Sequence, residues 1–201
     1  MFSRAITSNV RLSKWTERRL KLKTDKTLWN SFESQSVELI RACPDGGTIL
    51  DLGGGRRCIY APAVSPAGRV RLVAVDISAE ELAANEDVVE TIEANIATGI
   101  PVPDHSVDLV LSRALLEHVD GVPAAVTEMG RILKPGGVTL HLIPCRYSLF
   151  GTAARVLPFE QLLRLTHAFM PWSKGQVEFD VHYDHCWPGA METAFRDAGF
   201  K

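Results

Sequence analysis

The sequence predicts an α/β protein with a doubly wound parallel sheet that carries helices on both faces. Short apolar segments rich in Val, Ile and Leu alternate with segments of helical period over residues 30–144. The segment at residues 48–52 ends in three glycines, and the next strand-like segment, residues 70–76, ends in an acid. Ligands of open α/β sheets bind beyond the carboxyl ends of the strands, so these two endings predict a nucleotide-type site.

Composition and charge limit the classes of protein to which the chain can belong. The chain has 201 residues, 46% of them apolar, and a net charge of −2, which is typical of roughly one globular domain. This composition does not indicate nucleic-acid binding or disorder, and no apolar segment reaches the length of a membrane span. The four cysteines lie far apart without metal-type pairing, so we expect reduced thiols in a cytoplasmic protein.

The first 29 residues differ from the rest in charge. They contain eight Lys and Arg against two acids, and the first 16 residues lack acids altogether. A solvated basic segment is the leading interpretation, with an anionic partner or a transit-type segment as the alternatives. We expect a basic N-terminal arm or lid over residues 1–29, with room for a helix near residues 12–22, and one domain over residues 30–201.

Five apolar, β-branched segments predict the strands of the sheet. They cover residues 48–52, 70–76, 91–96, 107–112 and 138–143. Parallel strands require right-handed crossovers, which the intervening helices supply. We expect the fifth segment to lie at one edge of the sheet.

Capping signals predict where the first helices begin. Asn30 with Glu33 predicts a capping box for a helix that ends near Cys43. Ser78 with Glu81 predicts a second box, for a helix that ends near residue 85. The prolines and glycines of residues 56–68 leave room only for a short or irregular helix between these two.

The later helices follow from period and from turn residues. A short helix is predicted over residues 114–119, and Pro123 opens a longer one. The residues Lys-Pro-Gly-Gly at 134–137 predict a tight turn that ends this helix before the fifth strand. A last helix is predicted over residues 192–199, with Gly199 as its stop.

Asp76 is the first candidate for ligand binding, because it lies 23 residues beyond Gly53 at the tip of the second strand. A carboxylate in that place can accept hydrogen bonds from two ribose hydroxyls, and the alternative is an acid that caps the next helix. Ile77 can pack on an adenine face or in the core. A nicotinamide dinucleotide enzyme also fits so far, although the third glycine of its G-x-G-x-x-G motif would fall at Cys58.

Four ordered segments favour another class. They are TILDLGGG at 48–55, VAVDIS at 73–78, IPVPDHSVDLVLSRALLEHV at 100–119 and MGRILKPGGVTLHLIP at 129–144. Together they resemble the class I S-adenosylmethionine-dependent methyltransferases, most closely the type 11 small-molecule branch, over about residues 35–144. The resemblance implies a Rossmann-like sheet of seven strands, S-adenosylmethionine as cofactor and a small molecule as methyl acceptor.

The resemblance also implies roles for the residues that match these motifs. Cofactor-binding residues would be Asp51, Gly53, Gly54 and Gly55 at the methionine end, Asp76 at the ribose, Ile77, Asn95 and Ile96 at the adenine, and Ser112 and Arg113 beside the methyl group. The residues Leu-Glu-His at 116–118 resemble the family's signature on the substrate side. His118 is the candidate catalytic base, needed only for a protic acceptor, and a structural histidine is the alternative.

Three departures from the family pattern favour a rival interpretation. Arg56 and Arg57 stand where the family has a polar residue and glycine, and Asn95 stands where an acid is common. The family's last two strands would follow Phe200, but the sequence ends at Lys201. We therefore expect a fragment that can self-associate through an exposed edge strand. The rival is a non-catalytic protein that keeps the fold, and a nicotinamide oxidoreductase comes third.

The segment over residues 144–187 is expected on the substrate side. Its polar cluster at residues 182–186 contains two histidines, but no helix or cysteine pair supports a metal site, and we predict none. A substrate-side loop or plain surface is the interpretation of this cluster. Four aromatic side chains could wall an acceptor pocket or pack in the core, namely Phe150, Phe169, Trp172 and Trp187.

Overall fold

The structure is a computed structural model that describes residues 25–64, 68–148, 152, 156–158, 160, 161, 164, 167 and 181–201. Most of the predicted N-terminal arm, including its helix near residues 12–22, lies outside the described residues. The same holds for Phe150, Phe169 and Trp172 of the predicted aromatic wall. Within the described part, no helix is both long and apolar enough to span a membrane.

Helices and strands alternate along the chain, as the sequence predicts. In chain order they are α1 (Asp25–Ala42), β1 (Thr48–Leu52), α2 (Ala61–Val64), β2 (Arg71–Asp76), α3 (Ala79–Ala83), β3 (Glu90–Glu93), β4 (Val107–Arg113), a 3₁₀ turn (Leu116–His118), α4 (Val122–Ile132), β5 (Leu133–Leu142) and α5 (Pro188–Asp197). The predicted α/β class and the expected short helix between β1 and β2 are both confirmed.

The sheet has five parallel strands in the order β3-β2-β1-β4-β5 among the described residues. The chain adds β2 and β3 on one side of β1 and then crosses to add β4 and β5 on the other. Such a change of direction opens a crevice at the carboxyl ends of the two strands that flank it, here β1 and β4. The predicted position of the fifth strand at one edge is confirmed.

The core lies on both faces of the sheet. Side chains alternate across β1, so that Ile49 faces α1 and α2 while Leu50 and Leu52 face the layer that contains α4 and α5. All three side chains are completely buried. Burial of each is worth roughly 1.5–3 kcal/mol relative to an exposed position, so these side chains hold the central strand between the two helical layers.

Of the two predicted capping boxes, one marks a wrong helix start and the other forms only in part. The helix α1 begins at Asp25, five residues before the predicted cap, and the carboxylate of Glu33 accepts the indole N–H of Trp29 at 2.8 Å instead of closing a capping box. Ser78 does cap α3, since its hydroxyl accepts the N–H of Glu81 at 3.2 Å. The reciprocal half of that box is absent in these residues, because the N–H of Ser78 donates to Asp76.

The predicted turn at residues 134–137 is part of strand β5. Leu133 pairs with Val107 and Val138 pairs with Leu109, so the four residues between them bulge opposite a single residue of β4. Gly136 adopts φ +83°, which a glycine reaches without steric cost. The sequence therefore predicted the turn conformation correctly. The pairing of β5 with β4, however, begins before this turn and continues after it, so the turn is a bulge within the strand.

Candidate functional site

The glycine turn after β1 is clamped onto β2. The N–H groups of Gly53 and Gly54 both donate to the carbonyl of Val75, at 2.7 and 3.2 Å. Gly53 has φ +72°, and a Cβ at Gly54 would lie 2.8 Å from the Cβ of Ala74. Other side chains would therefore push the turn away from β2, and glycine keeps this backbone close to the space above the sheet.

Asp76 lies at the end of β2, where the backbone orients its carboxylate. One oxygen, Oδ2, accepts the N–H of Gly55 at 3.0 Å, and the other, Oδ1, accepts the N–H of Ser78 at 2.9 Å. Each carboxylate oxygen has a second lone pair, so the half-buried group can still accept two further hydrogen bonds. This is the geometry that a pair of neighbouring hydroxyls requires.

A cavity of about 390 Å³ opens beside this turn. Six of the predicted site residues line it, namely Gly53, Asp76, Ile77, Asn95, Ile96 and His118. The side chain of Ile77 is 58% exposed although it is apolar, because it forms part of this wall and not of the core. An exposed apolar surface next to a ribose-type carboxylate suits the face of a planar base.

Sequence reasoning gave no site role to Val75, Ala94, Ala114, Leu115, Val119 and Asp120, which also line the cavity, and it named His182 only as part of a substrate-side loop or plain surface. Ala114 follows β4 with φ +51°, a left-handed conformation that is uncommon for a residue with a Cβ. Backbone strain of this kind concentrates at functional sites. His182 comes from a distant part of the chain, and only its place in a polar cluster pointed to it.

Asp51 does not line the cavity. Its carboxylate is buried, with 4% exposure, and accepts a hydrogen bond from the Cys58 thiol. Burial raises the pKa of Asp51 to about 7, against the opposing effects of the thiol and of the Arg113 charge. The hydroxyl of Tyr60, which also belongs to this layer, is buried without a hydrogen-bond partner among the described residues.

Ser112 and Arg113 do not line the cavity either. Ser112 is fully buried, and its hydroxyl lies 2.7 Å from Nδ1 of His141, its neighbour on β5. Strand β4 continues for one residue beyond Ser112, so the Ser112 side chain still projects from a face of the sheet. The guanidinium of Arg113 stacks over the ring of Trp29 at 4.8 Å. It connects the end of β4 to α1, and its predicted role beside a methyl group stays a prediction.

The arginines that depart from the family pattern leave the cavity open. Arg56 forms an ion pair with Glu81 of α3, with 2.7 Å between guanidinium and carboxylate, and its side chain is 56% exposed. Neither Arg56 nor Arg57 is part of the cavity wall. The departure at these two positions therefore gives the non-catalytic rival no steric support.

Buried Asp51 predicts a pH-dependent stability. Its folded pKa of about 7 lies above the ordinary 3.8, so its contribution to folding is present below about pH 4 and is lost as the pH rises to about 7. Glu117, also buried, has a pKa raised to about 7 and acts in the same direction. We expect the Asp51→Asn variant to lose less thermal stability than the wild type between pH 5 and pH 7.5, measured by calorimetry.

The matched control for this measurement is Asp197→Asn, because Asp197 is exposed at the end of α5. It should keep the wild-type dependence on pH. A wild-type slope in Asp51→Asn as well would show that the Asp51 carboxyl is not desolvated in the folded protein.

The described residues hold no group of three or more His, Cys, Asp or Glu in a metal-binding arrangement. The polar groups of the cavity instead suit an adenosine-type ligand. Asp76 has free lone pairs for hydroxyls, Ile77 offers an apolar face, and Asn95 is exposed beside it. The crevice, the glycine turn and the acid at the end of β2 together form a nucleotide-type site, which agrees with the methyltransferase resemblance of the sequence.

Comparisons with known proteins agree with this class. Residues 50–141 match the model of the type 11 methyltransferase family, described as a methyltransferase domain. A demethylmenaquinone methyltransferase of Geobacillus stearothermophilus is 31% identical over 158 residues, which cover 70% of this chain and 63% of that protein. The chain belongs to the type 11 family of class I methyltransferases. S-adenosylmethionine is its cofactor, in agreement with a phosphoethanolamine N-methyltransferase of Haemonchus contortus that has the same fold, with a TM-score of 0.52, and is complexed with S-adenosylmethionine.

Two further comparisons define how far the likeness extends. The C-methyltransferase UbiE of ubiquinone and menaquinone biosynthesis from Hahella chejuensis is 33% identical over 107 residues, or 48% of this chain and 43% of that protein. The chain thus spans less than two thirds of the length of either relative. An S-adenosylmethionine-dependent methyltransferase of Thermotoga maritima has the same fold, with a TM-score of 0.55, 19% identity and coverage of 85% and 71%.

Proposed function

We propose that the protein transfers a methyl group from S-adenosylmethionine to a small-molecule acceptor. The observation that carries this proposal is the cavity at the carboxyl ends of the strands, whose wall contains Asp76, Gly53 of the glycine turn and His118. Bound S-adenosylmethionine supplies an activated methyl group on a sulfonium sulfur. The protein then has to orient the acceptor in line with that methyl group and exclude water.

Some residues of the chain would bind the cofactor and others would bind the acceptor. Asp76 would hold the ribose, Ile77 and Asn95 the adenine, and Asp51 would face the positive methionine end from below the turn. His118, Asp120 and His182 lie on the cavity wall outside this set and would meet the acceptor. An imidazole near neutral pH can take a proton from a hydroxyl, which makes His118 the candidate base.

The acceptor class that we propose is a hydroxylated aromatic ring. The two relatives named above act in quinone biosynthesis or on demethylmenaquinone, according to their names. Methylation of a ring carbon breaks the bond from sulfur to methyl, forms a carbon–carbon bond and releases one proton from the acceptor. Loss of the proton of a ring hydroxyl makes the ring carbon more nucleophilic, and a base on the cavity wall would accept that proton.

Calorimetric titration tests the cofactor. S-adenosylmethionine and S-adenosylhomocysteine should both bind with similar heats, and NAD should not bind. Binding of NAD alone would overturn the proposal in favour of a nicotinamide enzyme. Binding of S-adenosylmethionine without methyl transfer to any of a panel of acceptors would favour the non-catalytic rival.

The acceptor is tested with 1,4-dihydroxynaphthalene and, as matched control, 1,4-dimethoxynaphthalene, both without oxygen. Mass spectrometry should show one methyl group on a ring carbon of the dihydroxy compound. The dimethyl ether has no ionisable hydroxyl, so it should not react. Equal reaction of the two compounds would show that no hydroxyl proton is involved.

Self-association through β5 is a further part of the proposal. The outer side of β5 has no partner strand among the described residues, and Val138 of this strand is 42% exposed. Unpaired edges of this kind invite pairing with another chain, and charged side chains oppose it. We expect concentration-dependent dimers in sedimentation experiments, and a monomer for Val138→Lys.

The control for this substitution is Val156→Lys, because Val156 is 75% exposed and lies outside the sheet. It should dimerise as the wild type does. A wild type that stays monomeric at all concentrations would refute the role of the edge. A cytoplasmic location belongs to the proposal as well, and its support is the four free thiols of the described cysteines.

A further inference from the structure

The wall behind His118 contains a buried carboxylate. Glu117 is the middle residue of the 3₁₀ turn and is only 3% exposed. One of its oxygens, Oε1, lies 3.9 Å from Nε2 of His118, and the other, Oε2, is buried without a hydrogen-bond partner among the described residues. A carboxylate without full hydrogen bonding is costly to bury, so its place next to the candidate base requires a reason.

The same residue also holds the second histidine of the cavity. Its carbonyl oxygen accepts the N–H groups of His182 and Tyr183, at 2.8 and 2.9 Å. These two bonds attach the distant segment 181–187 to the 3₁₀ turn. His118 and His182 both line the cavity, so one residue connects the two imidazoles that would face the acceptor.

The segment that carries His182 is held in an unusual conformation. Tyr183 has φ +51° and His185 has φ +54°, which is the left-handed region for two bulky side chains. Compensating contacts fix it there, because the carboxylate of Asp184 accepts the N–H of Val122 at 3.1 Å and Tyr183 is almost fully buried. The strain is thus tolerated in a loop whose ordered position places a histidine on the cavity wall.

We propose that Glu117 is a positioning residue of the acceptor site, whose carboxylate stabilises the imidazolium of His118 while its carbonyl fixes His182 beside it. The proposal rests on the methyltransferase function proposed above. In the reaction one proton leaves the acceptor for the His118 imidazole, and the methyl group leaves sulfur for the acceptor. The positive charge lost at the sulfonium therefore reappears on the imidazolium, where a carboxylate within 4 Å offsets it.

The surroundings of Glu117 determine whether its carboxyl group is protonated or ionised. Burial raises its pKa to about 7, so a small change nearby decides between the protonated and ionised forms. Among the described residues, the titratable groups that face it are His118 on the same turn and Tyr183 and Cys186 on the docked segment. The pKa of Tyr183 and that of Cys186 are each raised to about 12, chiefly by burial, so both stay neutral near pH 7. Of these groups, His118 is the one with a basic side chain.

The first experiment measures the Glu117 carboxyl by carbon-13 NMR of the whole chain. We expect its titration midpoint near pH 7 in the wild type. In His118→Phe the midpoint should rise by at least about 0.5 pH unit, because the variant removes the neighbour whose cation favours the carboxylate. This measurement needs neither cofactor nor acceptor, so it remains decisive even if the chain transfers no methyl group.

The second experiment is kinetic and uses Glu117→Gln with 1,4-dihydroxynaphthalene as acceptor. The amide keeps the size and the backbone contacts but has no charge. We expect kcat to fall about tenfold with little change in KM, which is the pattern of a lost transition-state interaction. The acid limb of the pH–rate profile should move to lower pH, because the imidazolium of His118 loses its counter-charge.

Controls separate this role from a merely structural one. Glu192→Gln changes an exposed carboxylate on α5 and should leave kcat and the pH profile unaltered. Cofactor affinity should stay within about twofold of wild type in Glu117→Gln, measured by calorimetry. An unmoved Glu117 midpoint in His118→Phe would overturn the proposal. So would a Glu117→Gln variant that loses stability but keeps the wild-type pH profile.

Discussion

Replacing Asp76 with alanine should weaken the binding of S-adenosylmethionine at least about tenfold while the protein stays folded. The carboxylate has one free lone pair on each oxygen after the N–H groups of Gly55 and Ser78 are satisfied. Each charge-assisted hydrogen bond to a ribose hydroxyl is worth about 1.5–3 kcal/mol. Loss of one bond already gives a decade in affinity, since about 1.4 kcal/mol corresponds to tenfold. Calorimetric titration measures the effect.

The variant Asp76→Asn separates the contact with the ribose from the contact with the glycine turn. It keeps one acceptor oxygen and the size of the side chain, so its affinity should lie between wild type and Asp76→Ala. Asp45→Ala is the control, because the side chain of Asp45 is 86% exposed at the other end of β1. Unchanged affinity in a folded Asp76→Ala variant would refute the assignment to the ribose.

Replacing His118 with alanine should lower turnover by about 10²–10⁴, the usual contribution of a general base. His118 follows β4 and Asp76 ends β2, and these strands lie on opposite sides of β1, so the cofactor should bind with nearly wild-type affinity. An imidazole accepts a proton only in its neutral form, and wild-type activity should therefore rise with pH across neutrality. Initial rates with 1,4-dihydroxynaphthalene, measured over a range of pH, follow both effects.

A histidine at the opposite end of the sheet provides the control. His105 precedes β4 and its Nδ1 lies 3.0 Å from the carbonyl of Leu133, so His105→Asn can keep a similar bond. Its turnover and pH profile should match those of the wild type. Wild-type turnover in His118→Ala would return His118 to the alternative of a structural histidine.

The sequence predicted the fold because its signals are local and repeated. Strand-like segments alternate with helical ones, and the acids and glycines fall at strand ends, so both the class and the functional edge of the sheet could be derived. The boundaries were less certain. Glu33 has the spacing of a capping residue for Asn30, but it bonds to the Trp29 side chain instead, and the helix continues past both. The spacing of residues in the sequence does not show which of two possible hydrogen-bond partners a side chain takes.

The site was predictable where it depends on strand ends and was missed where it depends on long-range contacts. Asp76 and Ile77 follow β2 directly, and both line the cavity. Ser112 also stands near a strand end, but its side chain lies on a face of the sheet and bonds to His141. The backbone N–H groups of His182 and the residue after it bond to the carbonyl of Glu117, which holds this segment at the cavity. Backbone hydrogen bonds do not depend on residue type, so the sequence does not reveal them.

The place of β5 at the edge has a consequence for the exchange of backbone amide hydrogens with deuterated solvent. In a parallel ladder, successive N–H groups of one strand point alternately to its two sides. Those of β1 meet β2 or β4 on either side, whereas those of β5 that point away from β4 meet no strand of the described residues. Exchange along β5 should therefore alternate between fast and slow sites, while β1 stays uniformly protected until the sheet itself opens.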